Sequence, residues 1–426
     1  MLQSLLSRGN TGVPWEIGFP EVAIVATIGI AGYLLILAIY QLYFSPISKI
    51  PGPWYAALSS VWLYQRYIRG GTIFVMDELH ERYGPYVRVA PNIVSVADLH
   101  SVTKIHSVKD VFIKGSVYGA MSSNLDVLIV ETDPTAFKIR RKMLGSTFNQ
   151  LSMNLLEPII RGHVDACLRG IREEIKANGF CNFCELAKLL GLDTAGHIAF
   201  GAHFPPLRKE KFNNILRDTT FMLSLTLLRG LPLFGSIETL LSKIPHFAAS
   251  PFFSCECRLT EFSTKAFDNV QSEIPGCKNG GLVRPLFAKI SEDMNDESAK
   301  NRLTIKQARD EAFIMLLAGS DTVGLALVFL VWALLKHEDV HRKLDEELKA
   351  LGNVEIEDSI LQPLPYLKSF IQEGLRMYAP LQVPLPRVVP QGGRQLGDYF
   401  FPGGVEAMPA TYTIMRDPEI FPNPQS

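Results

Sequence analysis

The stretch Ala312–Leu335 reads AFIMLLAGSDTVGLALVFLVWALL and sets the interpretation of the whole chain. It follows Thr304-Ile305-Lys306-Gln307, a capping box in which the Thr and Gln side chains satisfy free amides of a first helical turn. The pattern therefore predicts a helix from Ile305 to His337. Its length would allow a membrane span, but an Asp at the centre of a membrane helix costs about 2.5–3.5 kcal/mol. Asp321 therefore favours a buried core helix that is interrupted by a polar step.

The polar step is Ala318-Gly319-Ser320-Asp321-Thr322. Ala318 and Thr322 lie one turn apart on the same helical face, and Gly319 beside them has no side chain. The Thr322 hydroxyl can bond the carbonyl of Ala318 and open the helix locally. We expect a groove that admits a small molecule or a water next to a hydroxyl and a carboxylate, which suits the delivery of protons to bound dioxygen.

A second polar motif, Glu373-Gly374-Leu375-Arg376, follows further along. The i,i+3 spacing puts carboxylate and guanidinium on one helical face, where they can form a bidentate pair. An isolated surface pair of this kind contributes less than about 1 kcal/mol. Ile371 and Met377 favour a partly buried helix instead, in which the pair is structural. Arg387 follows in Pro-rich chain, and an Arg there suits an anionic group.

The N-terminal region contains an uncharged, almost continuously apolar run over residues 22–44. A spanning helix needs about 20 such residues, whereas the apolar part of a cleaved signal peptide has about 7–15. We therefore predict an N-terminal lumenal segment (1–21), a transmembrane anchor (22–44), a proline-rich hinge (45–53) and one further domain (54–426). The basic residues Lys49, Arg66 and Arg69 after the span favour a cytoplasmic domain.

Composition bounds the function class. The chain has 426 residues, 47% of them hydrophobic, and a net charge of −1. A basic patch is the usual sign of nucleic-acid binding, so we expect no nucleic-acid partner. Two cysteine pairs, Cys181/Cys184 and Cys255/Cys257, leave a zinc knuckle open beside ordinary thiols, although the C-x-C spacing of the second pair is atypical of zinc sites.

The periodicity of the chain predicts a mainly α fold with a small β portion. Residues 84–99 alternate around Ala90-Pro91-Asn92 and predict a β-hairpin. Most periodic segments between Ser101 and Leu375 are helical, and Gly-Pro-rich irregular chain is expected from Ala379 onward.

The order of these features resembles the membrane-bound cytochrome P450 family, especially its fungal members. The features are the apolar anchor, Pro51-Gly52-Pro53, the hairpin, the AGSDT helix, Glu373-x-x-Arg376 and the stretch RDPEIFPNP at residues 416–424. The resemblance implies the cytochrome P450 fold after one transmembrane helix, haem as cofactor and NADPH-cytochrome P450 reductase as partner. It also implies a single-pass protein of the endoplasmic reticulum membrane that oxidises a lipophilic small molecule, in fungal secondary metabolism.

The resemblance assigns roles by position. Thr322 and Asp321 match the catalytic residues of the oxygen-activation motif, and Ala318 and Gly319 match its cofactor-facing residues. Glu373 and Arg376 match the structural ion pair behind the haem. Arg141 and Arg387 match arginines that bind haem propionates. Phe137 lies four residues before Arg141, where the family usually has an aromatic residue or His, and a Phe ring cannot donate a hydrogen bond to the propionate. The implied substrate walls are residues 114–131, 212–241, 314–323 and 379–386.

Family members continue beyond the Phe-Pro-Asn-Pro stretch into a Gly-rich loop with the axial cysteine, whereas this sequence ends at Ser426. We therefore expect a fold incomplete at the C-terminus, without the axial thiolate. The ion pair of Glu373 and Arg376 would lose its usual third partner and, if buried, would be uncompensated. The alternative to a monooxygenase is a catalytically inactive truncated member. A receptor or transporter fragment would not explain Asp321 and Glu373 in apolar helices.

Overall fold

The computed structural model describes residues 19–121, 125–145, 150–201, 209–229, 234–273, 285–295 and 302–424. Helices dominate these residues, as the periodicity predicted. The helices are α1 Phe19–Ile39, α2 Trp54–Leu58, α3 Val61–Arg69, α4 Thr72–Tyr83, α5 Leu99–Ile105, α6 Ser116–Met121, α7 Pro134–Gly145, α8 Gln150–Asn178, α9 Phe183–Phe200, α10 Lys209–Arg229, α11 Phe234–Leu241, α12 Pro245–Ala248, α13 Cys255–Glu273, α14 Leu286–Asn295, α15 Ile305–Lys336, α16 Glu338–Lys349, α17 Asp358–Leu361, α18 Pro365–Met377 and α19 Thr411–Ile414.

The strands form a five-stranded and a two-stranded sheet. They are β1 Tyr86–Ala90, β2 Ile93–Val96, β3 Ile113–Lys114, β4 Arg387–Val388, β5 Arg394–Leu396, β6 Tyr399–Phe401 and β7 Glu406–Pro409. The larger sheet has the order β1-β2-β7-β4-β3, and the smaller pairs β5 with β6. The predicted hairpin is confirmed as the antiparallel pair of β1 and β2.

The expectation of irregular chain after Ala379 was wrong, because four strands and a short helix lie there. These strands have two to four residues each, too few for a period to show. β7 is specified by its parallel pairing with β2, which is remote in sequence. Strand formation depends mainly on such neighbours rather than on local propensity.

The long helix α15 begins at the predicted capping box. The Thr304 side chain accepts from the amide of Gln307 at 3.2 Å, and the Gln307 side chain accepts from the amide of Thr304 at 2.9 Å. The helix then runs to Lys336, so its predicted extent is confirmed.

Helices α9 and α15 cross at very short range, because glycines face the opposite backbone. A Cβ atom on Gly191 of α9 would lie 2.8 Å from the carbonyl oxygen of Gly319. A Cβ atom on Gly324 would lie 2.8 Å from the Cα atom of Lys188. The crossing buries one side of α15, including Ser320, in the interior. Residues of α9, α13, α14 and α15 share the largest apolar cluster there.

The apolar N-terminal helix α1 continues into a π-helical turn at Tyr40–Phe44. The window Ile24–Phe44 is long and apolar enough to cross a membrane, and none of it is buried. Helix α15 is also long and apolar enough; it packs against α9 and α13, and 17% of its apolar window is buried.

The segment that follows the apolar helix is fastened to the sheet. Within residues 45–53, Ile47 and Ile50 are buried beside β2 and β7. The Arg88 side chain donates to the carbonyl and side-chain oxygens of Gln41, each at 2.7 Å, and the Arg88 amide donates to the carbonyl of Pro51 at 2.7 Å. The end of the candidate span therefore has a fixed attachment to the domain.

We predict that Gly324→Ala lowers the free energy of unfolding by about 1–3 kcal/mol, because the added methyl group must push α15 away from the backbone of α9. Gly162→Ala is the matched control: Gly162 lies in α8, and nothing stands within 4 Å of its added Cβ. There Ala should stabilise the helix by about 0.5–1 kcal/mol. Urea denaturation followed by circular dichroism measures both. Equal effects of the two substitutions would contradict the close crossing.

Candidate active site

The polar step of α15 presents two of its residues on an open face of the helix. Ala318 and Thr322 are exposed, and the Thr322 hydroxyl donates to the carbonyl of Ala318 at 2.7 Å, as predicted. The expected opening of the helix is wrong, since the backbone is α-helical throughout this turn. The hydroxyl bonds the carbonyl of the preceding turn, which Thr can do within a continuous helix.

Asp321 faces away from the open face, which corrects the expected grouping of hydroxyl and carboxylate. It is buried, and its Oδ1 atom lies 2.9 Å from Nζ of Lys188 on α9. Successive side chains of an α-helix point about 100° apart. Asp321 therefore lies on the side that faces α9, and Thr322 lies on the open side. Lys188 belongs to no motif, and sequence reasoning missed it.

A pair of cations lies where β3 and β4 meet. Their antiparallel register places Lys114 directly opposite Arg387. Like charges opposite each other destabilise a sheet unless something neutralises them. Within the described residues, neither side chain has a carboxylate at ion-pair distance. The pair therefore forms a cationic site without a direct ion pair, although the charges of Glu131 and Glu311 act on Lys114 from a greater distance.

The neighbours of the cationic pair are aromatic groups and carbonyls. Arg387 donates to the hydroxyl of Tyr118 at 3.0 Å and lies over its ring, while Lys114 donates to the carbonyl of Leu128 at 2.8 Å. The Lys114 ammonium also lies 4.4 Å from the ring centroid of Phe137. Burial, with the repulsion of Arg387, lowers the pKa of Lys114 to about 8. These groups can receive a carboxylate-bearing ligand.

The two adjacent arginines of α7 have different environments. Arg140 is buried and forms ion pairs with Asp126 and Glu311. Arg141, the residue assigned to a propionate, is exposed. The structure thus leaves Arg141 accessible to a ligand, but among the described residues no contact joins Arg141 to Arg387. The motifs did not reveal that Lys114 and Tyr118 lie beside Arg387, although both fall within the expected wall 114–131.

The ion pair of α18 has the predicted bidentate geometry. Nε and Nη2 of Arg376 donate to the two carboxylate oxygens of Glu373 at 2.7 and 2.6 Å. This contact holds the pKa of Glu373 below its usual range. Arg376 is buried, whereas the Glu373 side chain is 53% exposed.

Arg376 also holds the chain that follows α19. It donates to the carbonyls of Met415 and Pro424, and its guanidinium lies 4.8 Å from the ring centroid of Phe421. The expectation of an uncompensated polar cluster was therefore wrong: backbone carbonyls satisfy the arginine, and solvent reaches the carboxylate.

Among the described residues, no group of three or more His, Cys, Asp or Glu side chains is arranged to hold a metal ion. Cys181 and Cys184 lie at the start of α9, and Cys255 and Cys257 at the start of α13. The zinc knuckle therefore finds no support from these four thiols, and Cys277 lies outside the described residues.

We predict that Arg376→Lys lowers the free energy of unfolding by about 1–3 kcal/mol, since a lysine cannot replace the fork of donors that reaches Glu373 and two carbonyls. Arg342→Lys, in an exposed i,i+4 pair with Glu346, should change it by less than about 0.5 kcal/mol. The stabilisation from Glu373 is present above the ordinary carboxyl pKa and is lost as the pH falls through the depressed pKa of the folded state.

Denaturant titrations of both variants at neutral and acidic pH measure these differences, and limited proteolysis reports release of residues 415–424. An Arg376→Lys protein as stable as Arg342→Lys would contradict the proposed fastening.

Comparison with known proteins agrees with this arrangement. Residues 50–426 match the family described as cytochrome P450. Cytochrome P450 monooxygenase tazI of Aspergillus terreus is 28% identical over 92% of this chain and 79% of that protein. Cytochrome P450 monooxygenase macH of Penicillium terrestre is 30% identical over 93% of this chain and 79% of the relative. Cytochrome P450 monooxygenase stcB of Emericella nidulans is 28% identical over 90% of this chain and 73% of that relative.

The match covers the helix with the polar step, the bidentate pair of α18 and the strands that carry the cationic pair. The chain belongs to the cytochrome P450 family.

Proposed function

We propose that this protein is a haem-dependent monooxygenase that oxidises a lipophilic small molecule. Haem is the cofactor of the family, and it supplies the oxidative chemistry when it is bound. The observation that carries the proposal is the facing pair of cations, Lys114 and Arg387, which lacks a direct ion pair among the described residues. The pair lies in a domain whose central helix exposes Ala318 and Thr322 of its polar step. Electrons would come from NADPH through NADPH-cytochrome P450 reductase.

The residues present fit the carboxylate side of haem. Lys114 and Arg387 supply two positive charges, and the Tyr118 hydroxyl supplies a donor beside them. Arg141, which is exposed on α7, is the further arginine assigned to a propionate. The cysteines among the described residues all precede α15, and we propose none of them as a ligand of the iron.

Within the polar step, Thr322 holds a proton that can be moved. Its hydroxyl donates to the Ala318 carbonyl and can turn outward to the open face. Gly319, in contrast, faces Ala195 of α9 rather than the open face. Asp321 is the second group proposed for proton transfer. Its ion pair with Lys188 keeps the carboxylate inside the α9–α15 contact, so Asp321 must turn away from Lys188 before it reaches a proton carrier at the open face.

Exposed apolar side chains in the expected substrate walls support a lipophilic substrate. Val323 of α15 is 46% exposed, and Leu381 and Leu385 of the wall 379–386 are 55% and 38% exposed. Helix α1 would anchor the protein as a single-pass protein of the endoplasmic reticulum membrane, with the domain on the cytoplasmic side. The relatives' fungal sources support a role in secondary metabolism.

The test of the proposed function is the reduced carbon monoxide difference spectrum of the protein purified from its source cells. A monooxygenase of this family should show the Soret band of a thiolate-bound haem. A spectrum without that band, or a preparation without haem, would instead favour the catalytically inactive member.

We also predict that Lys114→Met weakens haem binding about tenfold, since one charge-assisted contact to a carboxylate is lost. Lys109→Met removes an exposed lysine near β3 and should leave the affinity unchanged. Titration of the haem-free protein, followed by Soret absorbance, measures both dissociation constants. Equal affinities would contradict the assignment of Lys114.

The same contact predicts a pH dependence. Without ligand, Lys114 loses its proton above about pH 8. A bound carboxylate raises the lysine pKa, so binding takes up a proton, and the affinity should fall as the pH rises above about 8. Lys114→Arg keeps its charge and should bind with little change over this range.

A further inference from the structure

The loop segment 125–128, between α6 and α7, is tied to α15 through its backbone. The amide of Leu128 donates to Oε1 of Glu311 at 2.6 Å, and the amide of Asp126 donates to Oδ2 of Asp310 at 2.9 Å. Gln307 donates to the Asp126 side chain at 2.9 Å. Three polar side chains near the start of the long helix therefore hold one short piece of loop.

Arg140 of α7 completes this network. It donates to the side-chain and carbonyl oxygens of Asp126 at 2.8 and 2.7 Å, and its Nε lies 3.1 Å from Oε1 of Glu311. The side chains of Arg140 and Glu311 are only 6% and 5% exposed. Glu311 thus lies at the centre of the contact, where it touches both the loop and the arginine.

Apolar side chains of the segment pack into the interior on both sides. Val127 is 1% exposed. Leu125 packs against a cluster of α10, α13 and α15 that includes Met222 and Phe313, and Leu128 packs against the largest core cluster. This segment lies within residues 114–131, which we assigned to a wall of the substrate chamber.

We propose that Glu311 is a positioning residue that fixes segment 125–128 to the long helix, and that ionisation of Glu311 loosens this wall. The role of segment 125–128 as a substrate wall rests on the proposed function, whereas its attachment to α15 rests on the observed contacts. Glu311 has no place in the oxidative chemistry, because it lies two turns before the polar step and on the buried side of α15.

The charge environment supports this role. Burial raises the pKa of Glu311 to about 7, against the opposing effects of the Leu128 amide and Arg140. The carboxylates of Asp126 and Asp310 add to the rise. The remaining cations nearby are Lys306, which pairs with Asp310, and Lys114 of β3.

The direction of the effect follows from linkage. When the segment lifts, water reaches Glu311, and its pKa falls toward the ordinary value of 4.5. The closed state therefore binds the proton more tightly, so protonation favours closure. As the pH rises from about 5 to about 7 the segment should loosen, and above about pH 7 its stability should level off.

Hydrogen–deuterium exchange of the full chain tests the proposal. The exchange rate of the Leu128 amide, corrected for the intrinsic effect of pH, gives the protection of the segment. In the wild-type protein, protection should fall about tenfold or more between about pH 5 and about pH 7, because a pKa shift of more than one unit changes the opening equilibrium at least tenfold.

Two substitutions separate charge from hydrogen bonding. Glu311→Gln keeps an oxygen for the Leu128 amide but cannot ionise, so its protection should not change with pH and should exceed that of the wild type at about pH 8. Glu311→Ala removes the acceptor and should lower protection at every pH. Asp268→Asn is the control. It breaks the half-exposed ion pair between Asp268 of α13 and Arg309 of α15, the helix that carries Glu311, and should leave the protection of the segment unchanged.

A flat wild-type profile would overturn the proposal, and so would Glu311→Gln being less protected than the wild type at about pH 8. Neither measurement depends on haem or on turnover. If exchange behaves as expected and the protein oxidises nothing, the attachment stands and the proposed function fails.

Discussion

The close crossing of α9 and α15 is the constraint on which the site depends. Gly191, Gly319 and Gly324 carry no side chains, so the two backbones meet at a distance that a single methyl group would prevent. This contact fixes the rotation of α15 about its axis. As a consequence, Asp321 is buried beside Lys188, and Thr322 stays on the open side. The arrangement of the polar step is thus set by the missing side chains on its other face.

The distribution of charge separates structural from ligand-binding residues. Arg140 pairs with Asp126 and lies beside the Glu311 carboxyl group in the interior, and Arg376 is satisfied by Glu373 and by carbonyls. Lys114 and Arg387, in contrast, face each other without a carboxylate at ion-pair distance among the described residues. Buried charges are normally paired, so two facing cations mark a place for an anion. This contrast, more than any motif, is the basis on which we propose Lys114 and Arg387 as partners of the haem carboxylates.

Three attachments hold irregular chain around the helical core. Arg88 fastens the end of the apolar N-terminal helix to the sheet, Glu311 fastens segment 125–128, and Arg376 fastens the residues after α19. Each uses a buried or half-buried charged side chain and backbone groups of the partner segment. Such bonds need no complementary sequence in the partner, because every residue carries a carbonyl and nearly every residue an amide.

The sequence by itself determined the features that depend on neighbours along the chain. The capping box of Thr304 and Gln307, the bond from Thr322 to Ala318, the bidentate pair of Glu373 and Arg376, and the hairpin of β1 and β2 all follow from short spacings. Tertiary structure decided the rest: Lys188 beside Asp321, Lys114 opposite Arg387, and Glu311 beneath Leu128. Those partners are more than 130 residues apart in the sequence and share no periodic pattern, so only the packing of helices and the pairing of strands bring them together.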